Sequence, residues 1–474
     1  MMIPMAELWE LGAGDLAERI RAGALTSREV LEAHLERVEA VNPSVNAIVR
    51  VMADQARAAA TEADRMVAAG GPVGRLHGVP ITVKENIDLA GTPTTQGLTV
   101  LADAVADRDA PTVERMRAAG AIPFARTNLP DLGLRIHTSS DLHGATVNPW
   151  DPHVTPGGSS GGEAVALATG MSPIGIGNDI GGSLRNPAHC CGIASIKPSS
   201  GVVPQATVIP PIESPLSSQL MAVEGPMARS VADVRLGLEI LAGPDPRDPR
   251  SLPVQLTDAR PDERLRIAVM TDPPGGSTDA GIAGAVRRAA DVLADAGHEV
   301  VEATPPDYEE MLELWGALLI VDLRLIRSML DMVMGADALT VLGHYDNRLP
   351  AIDVDDVLQL HIRRNQAMRD WSGFFLEHPV LLSPTWALPA FAPDADIVGS
   401  ADGTMLETFR PVLAANFLGL PAAVVPAGVV DGLPVGVQVI GDRFTDLRCL
   451  TVAGRIEQAI PQITPLDPRS QRST

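Results

Sequence analysis

Two clusters of glycine and serine flank an apolar run near the middle of this 474-residue chain, and they constrain its fold more than any other feature. The first reads Thr155-Pro156-Gly157-Gly158-Ser159-Ser160-Gly161-Gly162-Glu163. The second reads Gly177-Asn178-Asp179-Ile180-Gly181-Gly182-Ser183-Leu184-Arg185. Glycine weakens helices and strands because it loses more backbone freedom on ordering than any other residue. One such cluster reads as a turn. Two of them around Ala164–Ile176 predict paired loops in which glycine is needed for its backbone angles.

The surrounding sequence alternates between helical and strand patterns. Thr26-Ser27-Arg28-Glu29 is a capping box, followed by apolar positions at Leu31, Leu35, Val38 and Val41, and Asn42-Pro43 is the expected stop. A strand-like stretch at Ala47–Val51 leads into an Ala-rich helix ending at Gly70-Gly71-Pro72, and Val79–Val83 reads as a buried strand with Lys84 at its end. Helix Thr112–Ala119 with strand Ala121–Ala125, and helix Gly281–Ala296 with strand His298–Glu302, repeat the pattern. The expectation is an α/β fold, a central mixed but largely parallel twisted sheet with helices on both faces. Ala242–Asp262, rich in Pro and Asp, reads as a surface connection.

Composition narrows the function. The 59 acidic and 37 basic residues leave a net charge of −22, which repels phosphate backbones, and only 3% of residues are aromatic. Nucleic acid is therefore not an expected partner. Cys190, Cys191 and Cys449 have no disulfide or zinc spacing and read as small buried residues. The first cation is Arg19, and no apolar stretch approaches the ~18 residues of a membrane span. A soluble cytoplasmic protein with no membrane partner is expected.

Gly157-x-Ser159-x-Gly161 matches the nucleophile elbow of α/β-hydrolases, but Asp151–Pro156 before it is a poor strand. Phosphate-loop and dinucleotide patterns fail for want of a Gly-Lys-Ser/Thr and of a third glycine, and no histidine pair has zinc-ligand spacing. Both clusters, together with Gly78–Asn86, Arg126-Thr127-Asn128, Asn148–Asp151, Cys191–Pro198, Leu382–Thr385 and Gly432–Gln438, resemble the amidase signature family. Lys84 precedes Ser159 by 75 residues and Ser159 precedes Ser183 by 24, spacings similar to the family's. Asn178 stands where the family often has Thr, and Arg126 where Lys is usual.

The resemblance implies a single amidase domain over residues 1–474, its signature region about 76–200, and a metal-free, cofactor-free serine amidohydrolase. Lys84 is then the base, Ser159 a bridging serine on a cis peptide, and Ser183 the acylated nucleophile. The backbone N–H groups of Ile180, Gly181, Gly182 and Ser183 form the oxyanion hole, and Ser160, Asp179 and Arg185 order the loop. A free lysine has a pKa of about 10.4, so Lys84 can be a base only if burial lowers it. Variable walls in this family correspond to about 202–221 and 308–375, with Met221, Met311, Trp315, Leu318, Leu319, Met329 and Met332 as candidates for an apolar pocket. The expected substrate is a small apolar or aryl carboxamide, anilide or carbamate, and the expected assembly is a monomer or homodimer. Two alternatives stand beside it: a glutaminyl-tRNA amidotransferase A-type subunit, disfavoured by the continuation Ser199–Gln205, and a His-dependent α/β-hydrolase.

Overall fold

Eleven strands of the computed structural model, which describes residues 5–256, 258, 263–399 and 404–469, join in one sheet. They are β1 (Ile48–Val51), β2 (Pro80–Lys84), β3 (Ile122–Thr127), β4 (Ile174–Asp179), β5 (Ala194–Lys197) and β6 (Val223–Ala228) in the first half of the chain. The second half supplies β7 (Arg266–Val269), β8 (Glu299–Glu302), β9 (Val380–Pro384), β10 (Ala422–Val430) and β11 (Leu433–Gly441). Their order across the sheet is β1-β3-β2-β4-β6-β5-β10-β11-β9-β7-β8.

The α/β class and the helix-covered mixed sheet are as expected, but the sheet is less parallel than the alternation suggested. Parallel pairing joins β2 to β3 and β4, and β7 to β8 and β9. The other six pairs are antiparallel. One reason is local. Asp431 and Gly432 take φ values of 50° and 83°, so β10 and β11 close as a two-residue hairpin, which only antiparallel strands permit.

The capping box forms as read: Thr26 Oγ1 accepts from the Glu29 N–H, and Glu29 accepts from the Thr26 N–H at 2.8 Å. The helix it opens runs Ser27–Val45, past the expected stop, with Pro43 in its last turn. Asn46 ends it with φ 48°, a left-handed conformation that asparagine tolerates.

Alternation along β2 divides polar contacts from apolar packing. Ile81 and Val83 enter an apolar cluster with Leu16, Ile20, Val30, Ile174, Ile176 and Ile196. Thr82 donates instead to Glu163, on the helix Gly161–Ala168 that covers the other face. That helix packs through Val165, Leu167 and Ala168 against Phe124 of β3. The three cysteines are buried free thiols, and burial pushes their pKa values up. Among the described residues no helix is long and apolar enough to cross a membrane.

Phe124 has no exposed surface. Phe124→Ala should therefore cost about 3–5 kcal/mol of stability. Urea unfolding would register this as a lower midpoint with an unchanged slope; a shift of less than a third of that size would show that the layer collapses around the lost ring.

Candidate active site

Lys84, the last residue of β2, is wholly buried, and its amine meets three oxygens. Ser159 Oγ lies at 2.7 Å, Ser160 Oγ at 3.0 Å and Asn178 Oδ1 at 2.6 Å. Burial lowers its pKa to about 7, while the charges of Asp179, Glu163 and Glu224 pull it partly back.

The two serines come from the loop that opens the helix Gly161–Ala168, and the Gly158–Ser159 peptide is cis. Glycine is required across the site on β4. A Cβ at Gly175 would collide with the Glu163 carboxylate, and one at Gly177 would lie 2.9 Å from Ser160 Oγ. Their bareness admits Glu163, whose pKa burial raises to about 7 although the Thr82 and Thr127 hydroxyls donate to it. Asn178, also on β4, lies directly opposite Glu224 of β6, and burial pushes Glu224 up to about 8.

The second cluster is organised by Asp179. Its carboxylate accepts from the Gly182 N–H at 2.8 Å and the Leu184 N–H at 3.1 Å, and Arg185 grips both oxygens at 3.0 and 3.1 Å. Asn416 Nδ2 adds a donor at 2.9 Å. Burial alone would raise the Asp179 pKa, but the charges and hydrogen bonds of Arg185, Lys197 and Asn416 outweigh it and hold the carboxyl well below its usual range. Arg185 is itself held by the Val412 carbonyl at 2.9 Å, with Asn416 Oδ1 at 2.5 Å.

This arrangement separates the backbone amides of the loop. Of the four amides expected to act together, that of Gly182 already donates to Asp179. Those of Ile180, Gly181 and Ser183 have no acceptor among the described residues. Trp315 Nε1 donates to the Ile180 carbonyl at 2.8 Å, and across a trans peptide the following N–H, that of Gly181, points the opposite way.

Ser159, Ser183, Asn178 and Ile180 border a cavity of about 730 Å³. Its lining also includes 205–208, 210–214, Ser218, Gln219 and Asp248–Arg250, with Arg108, Glu224 and Arg247. None of Met221, Met311, Trp315, Leu318, Leu319, Met329 and Met332 lines it. Met221, Met311, Trp315, Leu318 and Leu319 are buried in an apolar cluster with Trp386 and Leu413, Met329 packs against that cluster, and Met332 is exposed. The helix Glu310–Leu325 buries its apolar residues in that core, and the wall is more polar than the apolar pocket expected. Glu224 and Asn416 were not singled out in the sequence, because each reaches the second cluster from a distant segment.

No histidine lines the cavity among the described residues. His189 uses both ring nitrogens on backbone, the Leu388 carbonyl and the Gly436 N–H, and burial lowers its pKa to about 4. No group of three or more His, Cys, Asp or Glu side chains is arranged to hold a metal ion among those residues.

The family model described as Amidase matches residues 29–450. The chain belongs to the amidase signature family. It is 40% identical over 460 residues to an indoleacetamide hydrolase of Bradyrhizobium diazoefficiens, covering 96% of this chain and 87% of that protein. It is 31% identical over 505 residues to the A-type subunit of the glutamyl-tRNA(Gln) amidotransferase from Salinispora arenicola, covering 97% and 99%. The solved structure of a bacterial aryl acylamidase of the family superimposes with a TM-score of 0.82 at 28% identity, over 96% of each chain. This amidase is thus a hydrolase acting on amide bonds.

Glu224 keeps its proton in the folded amidase up to about pH 8, whereas the unfolded chain loses it near the ordinary 4.5. Its burial therefore costs progressively more stability as pH rises between those values. Glu224→Gln, which keeps an acceptor for Thr112, should gain stability relative to wild type from pH 5 to pH 8 in urea titrations. A difference that stays constant across that range would mean Glu224 is ionised in the fold.

Proposed function

We propose that this amidase hydrolyses the primary carboxamide of an arylacetic acid, of the indoleacetamide class, through an acyl-enzyme on Ser183. The observation that carries the mechanism is the buried Lys84 amine 2.7 Å from Ser159 Oγ, with Ser159 and Ser183 on the floor of one cavity. The 40% identity to an indoleacetamide hydrolase and the fold shared with an aryl acylamidase support the substrate class.

Ser183 Oγ attacks the carbonyl carbon while its proton passes to Ser159, whose own proton passes to neutral Lys84. The N–H groups of Ile180, Gly181 and Ser183 meet the oxygen that becomes negative, each such donor being worth about 3 kcal/mol. The C–N bond then breaks as the same path returns the proton to nitrogen, and ammonia leaves. Water repeats the sequence on the ester, releasing the acid and restoring Ser183.

Indoleacetamide, phenylacetamide, a 4-nitroanilide, a dipeptide and an aryl carbamate, offered to the purified protein, separate the substrate classes. Indoleacetamide or phenylacetamide should be turned over fastest, and hydroxylamine should divert the acyl group to a hydroxamate. Turnover of the carbamate alone would make the enzyme a urethanase; turnover persisting in Ser183→Ala would reject the nucleophile.

A base with a pKa of about 7 makes kcat/KM rise as pH passes that value and level above it. Lys84→Arg keeps the positive charge and cannot lose it, so a folded variant should stay near background even at pH 9. A tenth of the wild-type rate in that variant would remove Lys84 from the proton path.

A further inference from the structure

The amine of Lys84 has three oxygen neighbours, and its two protonation states cannot use them in the same way. An ammonium has three N–H donors and satisfies all three oxygens. A neutral amine has two N–H donors and one lone pair, so one neighbour must turn round and donate to it. Asn178 Oδ1, at 2.6 Å, is a carbonyl oxygen and can only accept. Both serine hydroxyls can donate or accept, but the Ser160 hydroxyl has another acceptor, the Asn178 carbonyl at 3.4 Å. The lone pair is left to Ser159.

We propose that Asn178 is the positioning residue that aims the lone pair of neutral Lys84 at Ser159. Resting on the Ser183–Ser159–Lys84 reading, this adds the element that gives the relay its direction. A side chain here must accept strongly without carrying charge. A hydroxyl could take the lone pair for itself, and a carboxylate would hold the ammonium. The amide does neither. Asn178 also borders the cavity.

The ionisable groups around this amine come from three elements. Glu163 reaches from the helix Gly161–Ala168, Asp179 from β4 and Glu224 from β6. Asp179 is committed to Arg185 and Asn416, Glu163 to two threonine hydroxyls and Glu224 to the Thr112 hydroxyl. None of the three hydrogen-bonds the amine. Changing Asn178 therefore alters the immediate surroundings of Lys84 and leaves those carboxyls with their partners.

The test is the rate at which phenylmethylsulfonyl fluoride sulfonylates the intact protein, followed by mass against pH. In that reaction the serine oxygen bonds to sulfur, fluoride leaves, and the serine proton travels to Lys84, so its acid limb reads the amine without any assumption about substrate. Asn178→Asp places a carboxylate beside the amine and should move the limb up by about 1 pH unit or more, the plateau rate staying within about tenfold. Asn178→Leu, similar in volume but unable to accept, removes a partner of the ammonium. Its limb should move down, with a plateau lower by about tenfold or more. Should the Leu variant fail to fold by circular dichroism, Asn178→Ala supplies the same arm. A merely structural Asn178 would leave both limbs where they are, or move them together, and either result overturns the inference while adducts still map to Ser183. Adducts that map elsewhere, or that form equally in Ser183→Ala, overturn the underlying reading instead.

Discussion

The structure turns on removing one amine from water without giving it a counter-charge. Lys84 sits fully buried at the end of β2, with hydroxyl and amide oxygens for company. Solvation that an ammonium would lose is only partly replaced, so its pKa falls to about 7. A salt bridge would have reversed the outcome, because an opposite charge in contact favours the ammonium. The nearby carboxyls are kept off the amine by other partners, Asp179 by Arg185 and Glu163 by two threonines.

Asp179 performs the complementary task on backbone. One carboxylate captures the N–H groups of Gly182 and Leu184, and Arg185 and Asn416 prevent it from turning elsewhere. Fixing those two amides settles the path of the loop, and Trp315 settles it again from behind through the Ile180 carbonyl. The amides of Ile180, Gly181 and Ser183 have no acceptor among the described residues, and Ile180 and Ser183 border the cavity. Gly182 can follow this path because it takes φ 102°, and a Cβ there would lie 2.9 Å from Val412.

The segments that surround the candidate site were legible because each is local. A capping box, an apolar run ending in lysine and two glycine clusters are readable within ten residues of chain, and all formed where expected. The sheet was less legible. Strand–helix alternation suggested parallel pairing, whereas β6 returns antiparallel between β4 and β5 and the β10–β11 hairpin reverses direction. The cavity wall was legible only in part. Periodicity reports that residues 310–325 bury an apolar face, but it does not report what that face covers. Leu318 and Leu319 pack in a core that backs the loop, and of the two expected segments only 202–221 supplies lining residues.

Sequence alone determined the chemical groups and the backbone freedom of this protein: a lysine after an apolar run, two serines in glycine-rich loops, and an acid–arginine pair six residues apart. These properties belong to residue types and short spacings, which the chain carries whether folded or not. Tertiary structure alone decided the desolvation of the lysine amine, which oxygens it meets, and which loop amides have no acceptor among the described residues. Those depend on desolvation and on competition among partners as far apart as Lys84, Asn178, Trp315 and Asn416, and no local pattern encodes a contact between segments until the sheet has brought them together.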